Sequence, residues 1–219
     1  YSVEMYIANS IISSIAKSEP EPFEGKIYQL HRLKEVIDGD TIKIEILDDD
    51  WIKEGEERPD SNLISIRLMG VNCFDKWDQT SWLEAKRCTL EFFTYGKEPS
   101  LDEDGYIILE KLEYRMKVIK RDSTDRLLAY IVAHPKYSYQ EDDFFNDGED
   151  LSLMLIRDGL AIPSINFCIK DNDLEYFQRM FEYVEYAITA YNDFSYKDFD
   201  SIWCNEKLSD EIDIIIDPY

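Results

Sequence analysis

The sequence predicts an α+β fold that is built mainly of strands. Five short segments are predicted as strands, and three of them, at residues 41–47, 64–68 and 112–118, alternate apolar and polar residues as half-buried strands do. One helical pattern follows the third of these segments, and further helical patterns follow the fifth. With 219 residues, of which 44% are hydrophobic, the chain can bury one full-sized core. Five strands and about three helices in this order predict a small five-stranded Greek-key barrel of the OB type.

The first three predicted strands surround an acidic turn. Residues 26–33 form the first, and they lead to the turn Asp38-Gly39-Asp40. Residues 41–47 form the second, and the third, at residues 64–68, places Arg67 on the face opposite its isoleucines. Two carboxylates at a strand entrance can offer oxygen ligands to a hard cation, although Asp-Gly is also among the commonest hairpin turns.

The remaining elements are two strands and three helices. The fourth and fifth strands are predicted at residues 112–118 and 127–133, with a turn at 122–125. Ser81 opens a helix through a capping-box pattern with Glu84, and that helix ends near Gly96. Asp150 caps a second helix that Gly159 ends. The apolar stripe of the third helix consists of Leu174, Phe177, Phe181, Val184, Ile188 and Tyr191.

Charge and cysteine content narrow the classes of function. The net charge of −23 disfavours nucleic acid as a partner, because phosphate binding depends on lysine and arginine. A local basic pocket is compatible with this charge, since salt at 0.1 M screens interactions between charges that are more than about 10 Å apart. The four cysteines, which fit no zinc-binding pattern, are Cys73, Cys88, Cys168 and Cys204. Scattered reduced thiols favour an intracellular or organellar compartment over secretion.

The chain divides into three parts. Residues 1–24 carry a short isoleucine stripe, which predicts a helical docking extension and not a membrane span. Residues 25–204 form the globular domain, and residues 205–219 form an acidic C-terminal tail. The chain starts at Tyr1, so removal of a leader, such as a mitochondrial one, fits the sequence. The acidic insertions and both extensions are predicted to contact protein partners.

Five motifs occur in one order along the chain: Asp38-Gly39-Asp40-Thr41, Ile66-Arg67-Leu68-Met69-Gly70-Val71-Asn72-Cys73-Phe74-Asp75, Glu84-Ala85, Asp125-Arg126-Leu127-Leu128-Ala129-Tyr130 and Leu155-Ile156-Arg157-Asp158-Gly159-Leu160-Ala161. Their order and spacing resemble the staphylococcal nuclease (thermonuclease) family over residues 25–203. The resemblance implies the OB barrel of that family and a calcium-dependent phosphodiesterase acting on DNA or RNA.

The resemblance also implies a role for each candidate site residue. Arg67 and Arg126 match the two arginines that stabilise charge on the phosphoryl oxygens. Asp40 matches a calcium ligand, and Asn72 stands at the position of the second carboxylate ligand. Asp75 stands at the position of the glutamate that activates the attacking water. The alternative for both arginines is a structural pairing with nearby acids such as Asp40 or Asp75.

Several departures from the family pattern bear on activity. Asn72 replaces an anionic ligand with a neutral carbonyl, and Asp75 is one methylene shorter than the glutamate it replaces. Thr124 and Asp125 replace a Tyr-Gly pair, and residues 162–165 lack a substrate-facing tyrosine. We therefore expect weakened or lost phosphodiesterase activity and a mainly structural or interaction role in a larger assembly. The alternative is an active calcium-dependent nuclease, so whether the chain is an enzyme stays open.

Overall fold

The computed structural model describes residues 23–45, 62–73, 79–109, 111–136, 144–145 and 148–163, and the helical positions 176, 179–180, 182–184 and 186. Its elements in chain order are β1 (Ile27–Gln29), β2 (Arg32–Asp38), β3 (Thr41–Glu45), β4 (Leu63–Leu68), β5 (Val71–Cys73), α1 (Gln79–Thr94), β6 (Leu112–Arg121), β7 (Leu127–Pro135), β8 (Glu149–Asp150), α2 (Leu151–Arg157) and β9 (Ala161–Pro163). The fold is a mixed α+β fold dominated by strands, as the sequence predicts.

One large sheet holds most of the strands. Its order is β1-β6-β7-β4-β3-β2, and β8 adds to β7. The β4–β7 pair is parallel, whereas the other pairs of this sheet are antiparallel. Strands β5 and β9 form a separate antiparallel pair. The described strands do not close the large sheet, but its two end strands, β1 and β2, are separated in the chain only by Leu30 and His31.

The first predicted strand is two strands in the structure. In β1, Ile27 lies opposite Lys117 of β6, whereas in β2 Arg32 lies opposite Glu45 of β3. The spacing of the buried residues explains the break. Leu30 and Leu33 are both buried although they are three residues apart, whereas residues on one face of a continuous strand are two apart. The prediction of one strand over 26–33 was therefore wrong in its continuity.

The other predicted strands are confirmed over their described residues, which exclude positions 46 and 47 of the second strand, and some are longer than predicted. β4 buries Ile66 and Leu68 and directs Arg67 to the opposite face. β6 continues to Arg121 and β7 to Pro135. The two- and three-residue strands β5, β8 and β9 were not predicted, since such short segments show no period.

Helix boundaries agree with the sequence except at one end. Helix α1 begins at Gln79, so Ser81 lies inside the helix and the predicted capping box was wrong. Its end is confirmed at Gly96, which has φ +71° and donates from its amide to the carbonyl of Glu91. At α2, the Asp150 carboxylate accepts from the amide of Leu153 at 3.0 Å, as an N-cap does. Gly159 follows that helix with φ +69°, as predicted.

A third helix is present at the described positions between 176 and 186. Its buried residues Tyr176, Met180 and Val184 recur every four positions, so one face packs on the core. Val184 belongs to the predicted stripe, and the other members of that stripe lie outside the described residues. Residues 1–22 of the predicted extension 1–24 and the whole tail at 205–219 lie outside them as well, whereas Phe23 of that extension is buried in the core.

Strand β7 lies at the centre of the core. All of its residues from Leu127 to His134 are buried, because β4, β6 and β8 pair with it and α2 packs against it. In the part of the chain that is described, no helix combines the length and the apolar character needed to cross a membrane.

Candidate functional site

The acidic turn between β2 and β3 is a tight hairpin held against α1 and β5. Asp38 pairs with Thr41, which leaves Gly39 and Asp40 as the two loop residues. A Cβ atom at Gly39 would lie 2.7 Å from both the Cβ of Ala85 and the Sγ of Cys73, so only glycine fits there. The Thr89 hydroxyl on α1 donates to the Gly39 carbonyl at 2.6 Å. The turn therefore fixes the position of Asp40.

Both carboxylate oxygens of Asp40 accept hydrogen bonds from the protein. Asp40 is 2% exposed. Its Oδ1 accepts from the Thr41 hydroxyl at 3.1 Å, and its Oδ2 accepts from the Cys73 amide at 2.7 Å. Its backbone carbonyl accepts from the Leu68 amide. Asp40 thus joins the hairpin to β4 and to β5.

Arg67 completes this arrangement. It lies opposite Thr41 in the β3–β4 register, and its Nη1 forms an ion pair with Oδ1 of Asp40. Its Nη2 donates to Oδ1 of Asn72 and, at 3.4 Å, to the carbonyl of Val71. The structure therefore brings three predicted site residues together, and we call Asp40, Arg67 and Asn72 the Arg67 cluster. Arg67 therefore pairs with Asp40, one of the two acids that the sequence analysis named as a structural partner.

The second predicted arginine belongs to a separate cluster. Nε and Nη2 of Arg126 both lie 2.8 Å from Oδ2 of Asp122. Oδ1 of Asp122 accepts from the amides of Arg126 and Thr124 and from the Thr124 hydroxyl. Burial acts to raise the pKa of Asp122, but these hydrogen bonds outweigh it and the pKa is lowered. Asp122 is therefore an ionised anchor for Arg126.

The β4–β7 register places Arg67 near the start of β7, the strand that Arg126 precedes. Arg67 pairs with Leu128 in the parallel β4–β7 register, and Arg126 precedes Leu128 by two residues. Residues two apart in extended chain point to the same face and are about 7 Å apart along the strand. The Arg126 carbonyl accepts from the Asp122 amide at 2.8 Å, which extends the strand pairing through this position. Each guanidinium nevertheless binds its own carboxylate.

The remaining predicted site residue, Asp75, lies outside the described residues. Among the residues that the structure describes, no three His, Cys, Asp or Glu side chains form a group that could hold a metal ion. Asp40 and Asn72, the predicted calcium ligands, both accept from Arg67, so a cation bound by both would have to replace the guanidinium. Calcium binding stays a prediction.

Two residues of these clusters were not predicted as functional. Asp122 was predicted only as a turn residue, yet it binds Arg126 through its side chain. Its signal is the Asp-x-Thr sequence at residues 122–124, which is typical of a side chain that caps its own turn. Cys73 contributes its backbone amide to Asp40, which no side-chain pattern reveals.

The thiols near the Arg67 cluster are poor nucleophiles. Among the described cysteines, Cys73 and Cys88 are free, while Cys168 and Cys204 lie outside the described residues. Burial raises the pKa of Cys73 well above its ordinary value, and burial together with the charge of Asp158 raises that of Cys88 to about 12. Since the thiolate is the reactive form, neither side chain suits covalent catalysis at neutral pH.

No protein-family model matches this chain, and no curated protein sequence is significantly similar to it. The resemblance to the staphylococcal nuclease family therefore stays a prediction that rests on the five motifs. The structure adds the positions of Asp40, Arg67, Asn72 and Arg126 relative to one another.

Proposed function

We propose that this chain is a divergent staphylococcal-nuclease-like domain whose phosphodiesterase activity is weakened or lost and which acts mainly as a structural or interaction subunit. One observation supports the loss of activity above all. Both arginines that would bind a phosphate are engaged by carboxylates of the same chain, Arg67 by Asp40 and Arg126 by Asp122.

The burial of these pairs opposes phosphate binding. The Asp40 side chain is only 3% exposed, so a substrate that recruited Arg67 would leave a buried carboxylate without its cation. Breaking a buried pair in this way costs on the order of 3 kcal/mol. At the second cluster, Asp125 adds an exposed negative charge beside Arg126 and pairs with Arg121. The cost of breaking the Arg67–Asp40 pair and the negative charge of Asp125 both reduce the affinity for a polyanion.

The strand order supports the barrel that this family assignment requires. An OB barrel is a partly open five-stranded barrel, and a sheet closes into a barrel only if its two end strands come together. Here β1 pairs with β6 and β2 pairs with β3, and only two residues separate β1 from β2. We infer that β1 and β2 are two parts of one bent segment that brings the ends of the sheet together.

The charge supports protein partners over nucleic acid. A net charge of −23 repels phosphate over long distances and attracts basic surfaces. We therefore expect the protein, isolated at its native level and sized by native mass spectrometry, to occur in an assembly of defined stoichiometry that is larger than its own 25.9 kDa. A protein that runs as a free monomer under these conditions would contradict the subunit role.

The second candidate is an active calcium-dependent nuclease. It is favoured by the contact of Arg67 with Asp40 and by the β4–β7 register, which places Arg67 near the start of β7, the strand that Arg126 precedes. In that case substrate and calcium together would draw the guanidiniums away from Asp40 and Asp122. Chelator-sensitive cleavage of DNA or RNA by the purified chain distinguishes this candidate from the first.

A further inference from the structure

Exposed apolar side chains gather at the end of helix α1. Tyr95, Leu101 and Ile108 are 58%, 61% and 36% exposed, and they belong to one stretch of the chain. Backbone contacts bring the two ends of the loop between Ser100 and Ile108 together. The Ile108 amide donates to the Ser100 carbonyl, and Leu101 forms a β-bridge with Ile107. Grouped apolar exposure of this kind marks interaction surfaces more often than scattered exposed residues do.

A cleft lies within this surface. Its walls include Phe93, Tyr95, Lys97, Ile108 and Lys111, and we call it the Tyr95 cleft. The Lys111 ammonium lies 4.9 Å from the centre of the Tyr95 ring, which is a cation–π distance. The cleft thus combines apolar and aromatic side chains with two cations, alongside one acid, Glu98.

The two lysines differ from the other cations near them. Among the described residues, neither Lys97 nor Lys111 forms an ion pair, whereas Arg87 on the same helix pairs with both Glu84 and Glu91. Both ammonium groups line the cleft, although the chain as a whole carries a net charge of −23. They complement a ligand that carries carboxylates and apolar side chains together.

The backbone holds Tyr95 in this position at a cost. Its φ of +55° is in the left-handed region, which is unfavourable by about 1–2 kcal/mol for a residue with a side chain. Gly96 follows in the same region and ends the helix. The helix end therefore fixes the position of Tyr95 at the edge of the cleft.

The chain itself contains a segment of the complementary chemistry. Residues 206–219 mix the acids Glu206, Asp210, Glu211, Asp213 and Asp217 with Ile212 and residues 214–216, all isoleucine. The stretch between Tyr186 and Glu206 can extend over about 65 Å, which exceeds the roughly 30 Å diameter of a small domain. The segment can therefore reach any part of the domain surface.

We propose that the Tyr95 cleft binds the acidic, isoleucine-rich segment 206–219 of the same chain. Isoleucine side chains of the segment cover Tyr95 and Ile108, and its carboxylates pair with Lys97 and Lys111. A bound segment covers this surface until a partner with similar chemistry displaces it. The chain thereby protects an apolar interaction surface when it is not assembled.

A carbodiimide cross-linking experiment on the full chain tests this proposal. The reagent joins a lysine amine to a carboxylate that is in direct contact with it, and mass spectrometry maps the linked residues. We expect links from Lys97 or Lys111 to acids of 206–217 in the monomer fraction. Lys136, which is also exposed, serves as the internal control and should give at least about fivefold fewer links.

Variants show whether the apolar part of the cleft contributes. The double substitution Tyr95→Asn and Ile108→Ser removes apolar surface, and asparagine tolerates the positive φ at position 95. It should reduce the yield of these links about fivefold or more. Leu83→Ser, at an exposed position about 18 Å away along α1, should leave the yield unchanged.

Four results would overturn the proposal: no links to the segment, links from Lys136 as frequent as those from the cleft, an unchanged yield in the double variant, or links confined to a dimer fraction. The last result would instead indicate that a second copy supplies the segment. Circular dichroism of the double variant establishes that it is folded, so a reduced yield is not a consequence of unfolding.

Discussion

Arg67 on β4 forms an ion pair with Asp40, whose carboxylate is buried in the hairpin between β2 and β3. The same carboxylate accepts from Thr41 and from the Cys73 amide, so this acid joins two elements of the large sheet to β5. A side chain with this many partners is structurally important whether or not it ever binds a cation. The clusters around Arg67 and Arg126 therefore lead to predictions about stability as well as activity.

Replacing Asp40 should destabilise the fold. Asp40→Ala leaves the Cys73 amide and the Arg67 guanidinium without their acceptor, and we expect a loss of about 3 kcal/mol in the free energy of unfolding. Urea denaturation at pH 7 measures it. Glu91→Ala breaks the exposed Arg87–Glu91 pair and is the matched control, with an expected loss of at most about 0.5 kcal/mol. Equal losses in the two variants would refute a structural role for Asp40.

Adding one methyl group to the hairpin should also be costly. Gly39→Ala places a Cβ atom 2.7 Å from Ala85 and from the Cys73 sulfur, so α1 or β5 must move. We expect a loss of about 1–3 kcal/mol, which thermal and urea unfolding measure. Cys73→Ala removes one of the two clashing atoms, and in the Gly39→Ala background it should recover part of the loss. Strictly additive effects of the two substitutions would speak against this packing.

The Asp122 cluster predicts a pH dependence. The pKa of Asp122 lies below its ordinary value of 3.8, so its ionised form stabilises the folded state above that pH. This stabilisation is lost as the pH falls through the lowered pKa. Asp122→Asn should therefore lose about 1–2 kcal/mol at pH 7, and the difference from the parent should shrink below pH 4.

Urea unfolding at pH 7 and at pH 3 checks this prediction. Asp125→Asn is the control, because it lies in the same turn, is exposed and keeps a residue that tolerates the φ of +66° at this position. It should change stability by at most about 0.5 kcal/mol at both pH values. If Asp122→Asn costs as much at pH 3 as at pH 7, its carboxylate charge is not what anchors Arg126.

Asp150 predicts a pH dependence of the opposite sign. Burial raises its pKa to about 6, although the Leu153 amide, the Tyr176 hydroxyl and the charge of Arg179 act to lower it. Between pH 3.8 and about 6 the folded state binds more protons than the unfolded state, so stability falls as the pH rises through this window. Above about pH 6, the contribution of Asp150 to stability no longer changes with pH.

Asp150→Asn removes that contribution and keeps the helix cap, since asparagine caps helices as well as aspartate does. The parent should lose on the order of 2–3 kcal/mol between pH 4 and pH 6 relative to this variant. Free energies of unfolding measured for both proteins at half-unit pH intervals provide the comparison. Parallel profiles over the whole window would exclude Asp150 as the titrating group.

Much of the fold follows from patterns in the sequence, and the exceptions have physical causes. Alternation identifies β3, β4 and β6, whereas β7 is a continuous apolar run that is buried on both faces. The same alternation does not reveal that β1 and β2 pair with different strands, because partner choice depends on the sheet as a whole. Ser81 satisfies a capping pattern within α1, which shows that a local motif does not fix a helix start.

The candidate site is predicted less completely than the fold. The motifs placed Asp40, Arg67 and Asn72 close together, and the structure brings them into contact. Whether Arg67 faces a phosphate or the acid beside it depends on its rotamer and on the burial of Asp40, which no spacing encodes. The part played by Asp122 was missed for a related reason, since its bond to Arg126 requires the geometry of the turn.

Cleavage of nucleic acid in the presence of calcium tests the central proposal most directly. The purified chain, Arg126→Ala and Arg67→Ala are incubated with fluorescent single-stranded DNA and RNA, with calcium or with a chelator. We predict no calcium-dependent cleavage above the level of the two variants. Chelator-sensitive cleavage that both substitutions abolish, while each variant remains folded, would contradict a domain whose catalysis has been lost and would establish an active nuclease.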